Sequence, residues 1–156
     1  MDGNGQTQLI CCGATAREIL AITDANGLDY MKVKSLPASL DNTLQFIPKR
    51  VREKIKANRN EYKRILAFYS DCGTGEQLQK VLDEEGAQGL IGAHCYEMYD
   101  GATAFATIIE DEVGCFFLTD YLPQHFERLV IKGLGLDRRP ELRGVYVANY
   151  KKVAYL

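Results

Sequence analysis

Ile65-Leu66-Ala67-Phe68-Tyr69, followed at once by Ser70-Asp71-Cys72-Gly73-Thr74-Gly75, decides the fold. The five apolar residues do not alternate with polar ones, which is the pattern of a central parallel strand covered on both faces. The turn behind them holds a cysteine and two glycines. It leads into a predicted helix that begins near Thr74 or Gly75 and runs to residue 85, with Leu78, Val81 and Leu82 inward and Gly86 at its end. Strand, short loop and helix in that order make one βα unit.

The same unit recurs outward in both directions. Toward the N-terminus, residues 9–12 form a short apolar run ended by Gly13. Residues 14–24 then predict a helix with Ala16, Ile19, Leu20 and Ile22 inward, closed by Asn26-Gly27. Residues 30–36 predict a second strand, stopped by Pro37. Pro48 suits the first turn of a surface helix that reaches about residue 59, with Val51 and Ile55 as its apolar positions. The basic run on that helix reads as a solvated face rather than a phosphate contact.

Toward the C-terminus, Leu90-Ile91 predicts the core of a fourth strand, ended by Gly92. Residues 96–109 read as helix with a break at Gly101, and 113–118 as a fifth strand that Thr119 or Asp120 caps into a helix over 121–131. Gly135 and Pro140 mark a turn before a last helix over 140–152. The expectation is a three-layer αβα protein with a mostly parallel five-stranded sheet in flavodoxin-like or Rossmann-like order. Residues 1–7 read as a loose tail and 8–156 as one α/β domain. The apolar run Val153-Ala154-Tyr155-Leu156 is expected to pack on the body or on a second copy, or else to mark a truncation.

The 19 basic and 21 acidic residues give a net charge of −2, so no charge excess points to nucleic acid or an anionic membrane. No apolar run approaches the ~20 residues of a membrane span. The N-terminus lacks the basic and apolar regions of a signal peptide, so a cytoplasmic location is expected. Five cysteines, an odd number in a chain long enough to bury a core, argue for thiols rather than a disulfide framework.

Three of those cysteines fall in loops that follow strands: Cys12 before Gly13, Cys72 before Gly73, and Cys95 beside His94. Strand-to-helix loops of a parallel sheet share its carboxyl edge, where α/β proteins place their chemistry. Cys12, Cys72 and Cys95, with His94 as fourth member, therefore form a candidate set of ligands for zinc or an iron–sulfur cluster. Cys72 precedes a helix start, where the dipole favours thiolate. Asp71 either orients a partner or closes a turn. Gly13, Gly73, Thr74 and Gly75 are candidates to approach a bound group through their backbone. Cys11, which alternation turns away from Cys12, reads as core, as does Cys115. His125 reads as structural. The phosphate-loop, dinucleotide and C-x-x-C patterns are absent from the sequence.

At these same residues the chain resembles a family known as domain of unknown function 1638. The resemblance runs through Cys12-Gly13-Ala14-Thr15-Ala16-Arg17-Glu18, Leu36-Pro37-Ala38, Tyr69-Ser70-Asp71-Cys72-Gly73-Thr74-Gly75, Ala93-His94-Cys95-Tyr96, Gly114-Cys115-Phe116-Phe117-Leu118-Thr119-Asp120, Leu134-Gly135-Leu136-Asp137 and Asn149-Tyr150. Asp41-Asn42 stands where many members carry a histidine, and the family often extends beyond residue 156. The resemblance implies an accessory protein associated with corrinoid-dependent methyltransferase systems, with a corrinoid protein or a methyltransferase as partner. Three readings follow. The first is a metal- or iron–sulfur-binding protein linked to corrinoid methyl transfer or one-carbon metabolism. The second is a cofactor-free two-cysteine enzyme, a racemase, epimerase or thiol nucleophile, with Cys72 as nucleophile or base, Cys12 or Cys95 as its opposing acid, and Asp71 catalytic beside them. The third is a non-catalytic partner of a methyltransferase system.

Overall fold

The strand Thr7–Cys12 (β1) is buried at every position, and the first part of the chain is arranged around it. The computed structural model describes residues 6–71, 73–90, 92, 94–111 and 114–156. By its internal contacts the chain divides into two compact units, 1–94 and 95–156.

In the first unit β1 is followed by α1 (Ala16–Ala25), β2 (Met31–Leu36), two short 3-10 turns (Ala38–Asn42 and Leu44–Phe46), α2 (Ile47–Asn58), β3 (Arg64–Phe68), α3 (Gln77–Glu85) and β4 (Gln88–Gly89). The strands form one parallel sheet in the order β2-β1-β3-β4. Residue Cys12 of β1 lies beside Leu36 of β2, and Cys11 lies beside Phe68 of β3. Right-handed crossovers fix the layers. The step from β1 to β2 runs one way across the sheet, and the steps to β3 and β4 run the other way. This puts α1 on one face and α2 with α3 on the opposite face.

The core agrees with that arrangement. Leu9 and Cys11 project together toward Ile19 of α1, with Met31, Val33 and Phe68 packed around them. On α2, Ile47, Val51 and Ile55 are buried, and α2 packs against α3. Leu78, Val81 and Leu82 form the buried stripe of α3, and Gly86 ends that helix in the left-handed conformation. Glu85 of α3 gathers Arg52 and Lys56 of α2, and Arg59 at the C-terminal cap of α2, at 3.2, 3.5 and 3.0 Å. The basic run of α2 is thus spent in part on its neighbour.

Several expectations are revised. β3 holds the interior place between β1 and β4, but Ile65, Leu66 and Phe68 are only half-buried, and the fully buried strand is β1. Thr7 opens β1, inside the stretch read as tail. Along α1 the buried residues are Ile19 and Thr23, one turn apart, while Leu20 and Ile22 lie off that stripe in solvent. β4 is Gln88–Gly89 rather than Leu90-Ile91, and Ile91 lies outside the described residues. Gly89 sits so close under Leu82 that a Cβ there would collide with the leucine's Cδ1, which permits the strand to come under α3 at that point.

The second unit holds α4 (Glu97–Asp100), α5 (Ala102–Asp111), β5 (Cys115–Leu118), α6 (Tyr121–Gln124), a π-helical stretch (Glu127–Lys132), a 3-10 turn (Pro140–Leu142), α7 (Arg143–Val147) and β6 (Lys152–Tyr155). Gly101, at φ 83°, makes the break between α4 and α5. The predicted fifth strand does not extend the first sheet. β5 pairs in parallel with β6, and the two form a separate sheet. Phe105, buried on α5, meets Tyr96 and Phe117 with ring centroids 6.4 and 5.4 Å away, and Tyr96 Oη donates to Phe117 O at 3.4 Å. The predicted final helix is reduced to α7 plus a 3-10 turn, and Lys152, at its expected end, opens β6 instead. Val153 and Tyr155 face solvent rather than the body. No helix among the described residues is long and apolar enough to cross a membrane.

Candidate functional site

The strand order has a switch between β1 and β3, where crossovers leave in opposite directions. Open α/β sheets form a crevice there, at the carboxyl ends of the strands. Three loops of the first unit meet at that edge.

The first follows β1. Cys12 is its last residue, and its side chain points away from the Leu9–Cys11 face, as strand alternation dictates. Gly13 donates its N–H to Leu36 O at 2.8 Å. A Cβ on Gly13 would come within 3.0 Å of that oxygen, so only glycine lets the two loops close up. Thr15 then donates both its N–H and its hydroxyl to Cys12 O, each at 3.1 Å, and starts α1.

The second loop follows β2. After Pro37 the chain coils through Ala38–Asn42, which brings Asp41 back over the end of β1. Cys12 Sγ donates to Asp41 Oδ2 across 3.7 Å, and the Ala14 N–H donates to the same sulfur at 3.4 Å.

The third loop follows β3. Asp71 closes it as a turn: Thr74 donates its N–H to Asp71 O and its hydroxyl to Asp71 Oδ1, both at 2.8 Å. The Asp71 N–H donates to Gly92 O at 3.1 Å, which ties the loop to the segment after β4. Gly73 and Gly75 take φ of 85° and 60°, conformations that favour glycine. A Cβ on Gly73 would lie 3.2 Å from Leu44 Cδ1, so this loop lies against the one that carries Asp41. A cavity of about 260 Å³ opens behind it, lined by Tyr69, Asp71, Glu76, Leu78, Leu82 and Leu90 among others. A cavity of similar size, about 270 Å³, lies at the opposite end of β3, where Arg59, Tyr62, Arg64 and Glu85 line it without a thiol or histidine.

The electrostatics at Cys12 are those of a protonated thiol. Burial, then the charge of Asp41, push its pKa from 9.0 up to about 12, and the Ala14 N–H opposes them weakly. Asp41 keeps much of its own surface in solvent, yet desolvation where its carboxyl meets the thiol raises its pKa, against the pull of the Cys12 hydrogen bond. Burial alone raises Cys11 to about 11, in keeping with its core position.

Of the residues singled out by sequence, Cys12, Gly13, Asp71, Gly73, Thr74 and Gly75 stand on this edge. Cys72 lies outside the described residues. His94 ends the first unit, and Cys95 begins the second, where its carbonyl accepts from the Met98 N–H at 3.1 Å. Cys115 is buried in β5, and His125 stacks on Tyr121 with centroids 4.3 Å apart. Among the described residues no three His, Cys, Asp or Glu side chains are grouped as a metal site. Sequence reasoning missed Asp41 as a neighbour of Cys12. The signals were Pro37, which stops β2 and turns the chain back over the sheet, and the place of Asp41-Asn42 where members of the resembled family carry a histidine.

A protein-family model described as "Protein of unknown function (DUF1638)" matches residues 35–156, a span that includes Asp41, Asp71 and Cys95 and begins after Cys12. No curated protein and no solved structure matches the chain.

Proposed function

We propose, given that this chain belongs to the DUF1638 family, that the carboxyl edge of its parallel sheet is a metal site of the thiolate type, in a cytoplasmic protein accessory to corrinoid-dependent methyl transfer or one-carbon metabolism. The carrying observation is the separation of Cys12 Sγ from Asp41 Oδ2, 3.7 Å. Two ligands on a tetrahedral zinc, with Zn–S about 2.3 Å and Zn–O about 2.0 Å, stand roughly 3.5 Å apart. A sulfur and a carboxylate oxygen already sit at nearly that spacing. Cys72, which precedes Gly73 in the sequence, is the next ligand in this reading, with His94 as a further member. An iron–sulfur cluster is the alternative metal centre in this reading.

The chain's own residues prepare the exchange. Cys12 holds a proton against Asp41, and a metal takes the place of that proton, so binding weakens as pH falls. Gly13 and Thr15 fix the end of β1 so that the sulfur does not turn away. When bound, zinc would supply a Lewis acid or a methyl-accepting thiolate centre. The β2-β1-β3-β4 order supports the reading through its likeness to the first four strands of a flavodoxin-like sheet, whose switch point takes ligands.

A second reading has its own support. A thiol held protonated by burial suits the acid of a two-cysteine acid–base pair, with Cys72 as the opposing base. Anaerobic purification followed by elemental analysis and a visible spectrum separates the two. The metal reading expects stoichiometric metal that Cys12→Ser and Asp41→Asn each reduce. Metal-free protein with one thiol that labels rapidly with iodoacetamide, with or without chelator, overturns it in favour of the acid–base pair.

A further inference from the structure

The free sheet edges of this chain are built differently. β2, the outer strand of the four-stranded sheet, carries Lys32 and Lys34 along its length, and lysines on an edge discourage an incoming strand. β6 has Lys152 at its first position and then Val153, Ala154 and Tyr155, with Val153 and Tyr155 64% and 65% exposed. Its one strand partner among the described residues is β5. Val145, Tyr146, Val147 and Tyr150, just before it in the chain, are exposed as well. A pair of four-residue strands is marginal by itself, and an outer strand with exposed apolar side chains is a ready place for another strand to pair.

We propose that β6 is a self-docking edge, through which two copies of this chain pair antiparallel about a two-fold axis at Ala154 to form a four-stranded sheet β5-β6-β6-β5. In that register Val153 of one copy stands opposite Tyr155 of the other, twice over, and aromatic–β-branched pairs of this kind stabilise a sheet. Charge selects the occupant. Lys151 and Lys152 lead into the strand, and Asp120 sits at its far end, where it accepts the Tyr155 hydroxyl. Antiparallel pairing brings the start of one strand to the end of the other, so the Lys151 of each copy approaches the Asp120 of the other along the same face as Tyr155. A parallel arrangement would set lysine beside lysine. One chain supplies both halves of that complementarity, which points to a second copy rather than a foreign strand.

Sedimentation velocity on the full chain reads the proposal. The expected result is a dimer at micromolar concentration whose association weakens as salt rises. Val153→Lys, at an exposed site, puts like charges against each other and weakens association by roughly tenfold or more, with unchanged far-UV circular dichroism and Tm. Lys151→Glu weakens it without touching the strand, and serves if Val153→Lys fails to fold. Ala154→Cys, directly across the axis from its own copy, cross-links the two chains on mild oxidation, since facing Cα atoms fall within disulfide reach. A monomer throughout the concentration range overturns the proposal. So does a dimer that both charge variants leave intact, or one in which A154C gives no cross-link through residue 154.

Discussion

β1 and β6 are both mostly apolar strands, placed in opposite circumstances. β1 reads Thr-Gln-Leu-Ile-Cys-Cys and is buried throughout, polar residues included; β6 reads Lys-Val-Ala-Tyr and is almost wholly in solvent. The difference lies in the neighbours. β1 has a parallel strand on each side and helices over both faces, whereas β6 has, among the described residues, one strand on one side. Apolarity alone therefore does not place a strand in a core. Position in the sheet does, and the chain encodes position through the helices that cross over between strands.

The sharpest way to break that comparison is truncation. Ile10→Ala, at a position with no exposed surface, should cost about 3 kcal/mol in denaturant unfolding, while Val153→Ala should change the monomer's stability by less than about 0.5 kcal/mol. Equal effects would mean that β6 is covered.

Next in size is an alkaline limb. Cys11 and Cys12 have pKa values of about 11 and 12 against 9.0 for an exposed thiol, so the folded state holds those protons more tightly than the unfolded one. Their contribution is complete below pH 9 and is lost as pH rises through 11 and 12. For the metal-free protein this amounts to on the order of 3 kcal/mol per thiol. Melting curves against pH should fall less steeply for Cys11→Ala and Cys12→Ala than for the parent; parallel curves would show the thiols to be wet.

Glu85→Gln should cost about 1 kcal/mol, because Arg52, Lys56 and Arg59 lose a shared, mostly buried partner. The loss should shrink in high salt, and a salt-independent loss would point to packing.

The smallest effect is the most diagnostic. The raised pKa of Asp41 means that its ionised form is disfavoured in the fold, so its neutral-form advantage is present at low pH and lost as pH rises through that pKa. Asp41→Asn should then raise the Tm of the metal-free protein slightly at pH 7, by a fraction of a kcal/mol once solvent screening is allowed for. With metal bound the same change should lower it. A decrease in both states would leave Asp41 as a turn residue only.

Much of the first unit was legible in the sequence because local chemistry and packing agree there. Gly27 and Gly86 end their helices in the left-handed region, Pro48 sits in the first turn of α2, and Leu78, Val81 and Leu82 face inward. The misreadings come where packing overrides pattern. Among the described residues Gln88–Gly89 pairs with Leu66 and Ala67 alone, so it needs no apolar run, and the apolar Leu90-Ile91 drew the strand two residues too far. β6 could not be assigned from its own residues, since its pairing with β5 joins positions more than thirty residues apart. At the site, alternation separated Cys12 from Cys11. Asp41 was marked only as a departure from the family pattern, and a carboxylate in a polar turn carries no periodic signal that would place it beside Cys12.

The knot of cations around Glu85 also bears on heating. The hydration of charges grows less favourable as water warms, so the cost of withdrawing them from solvent falls. Arg52, Lys56 and Arg59 are already gathered on one carboxylate between α2 and α3. The seam between those helices should therefore weaken less with temperature than the apolar contacts around it, and hydrogen exchange on warming should leave α2 and α3 among the last segments to open.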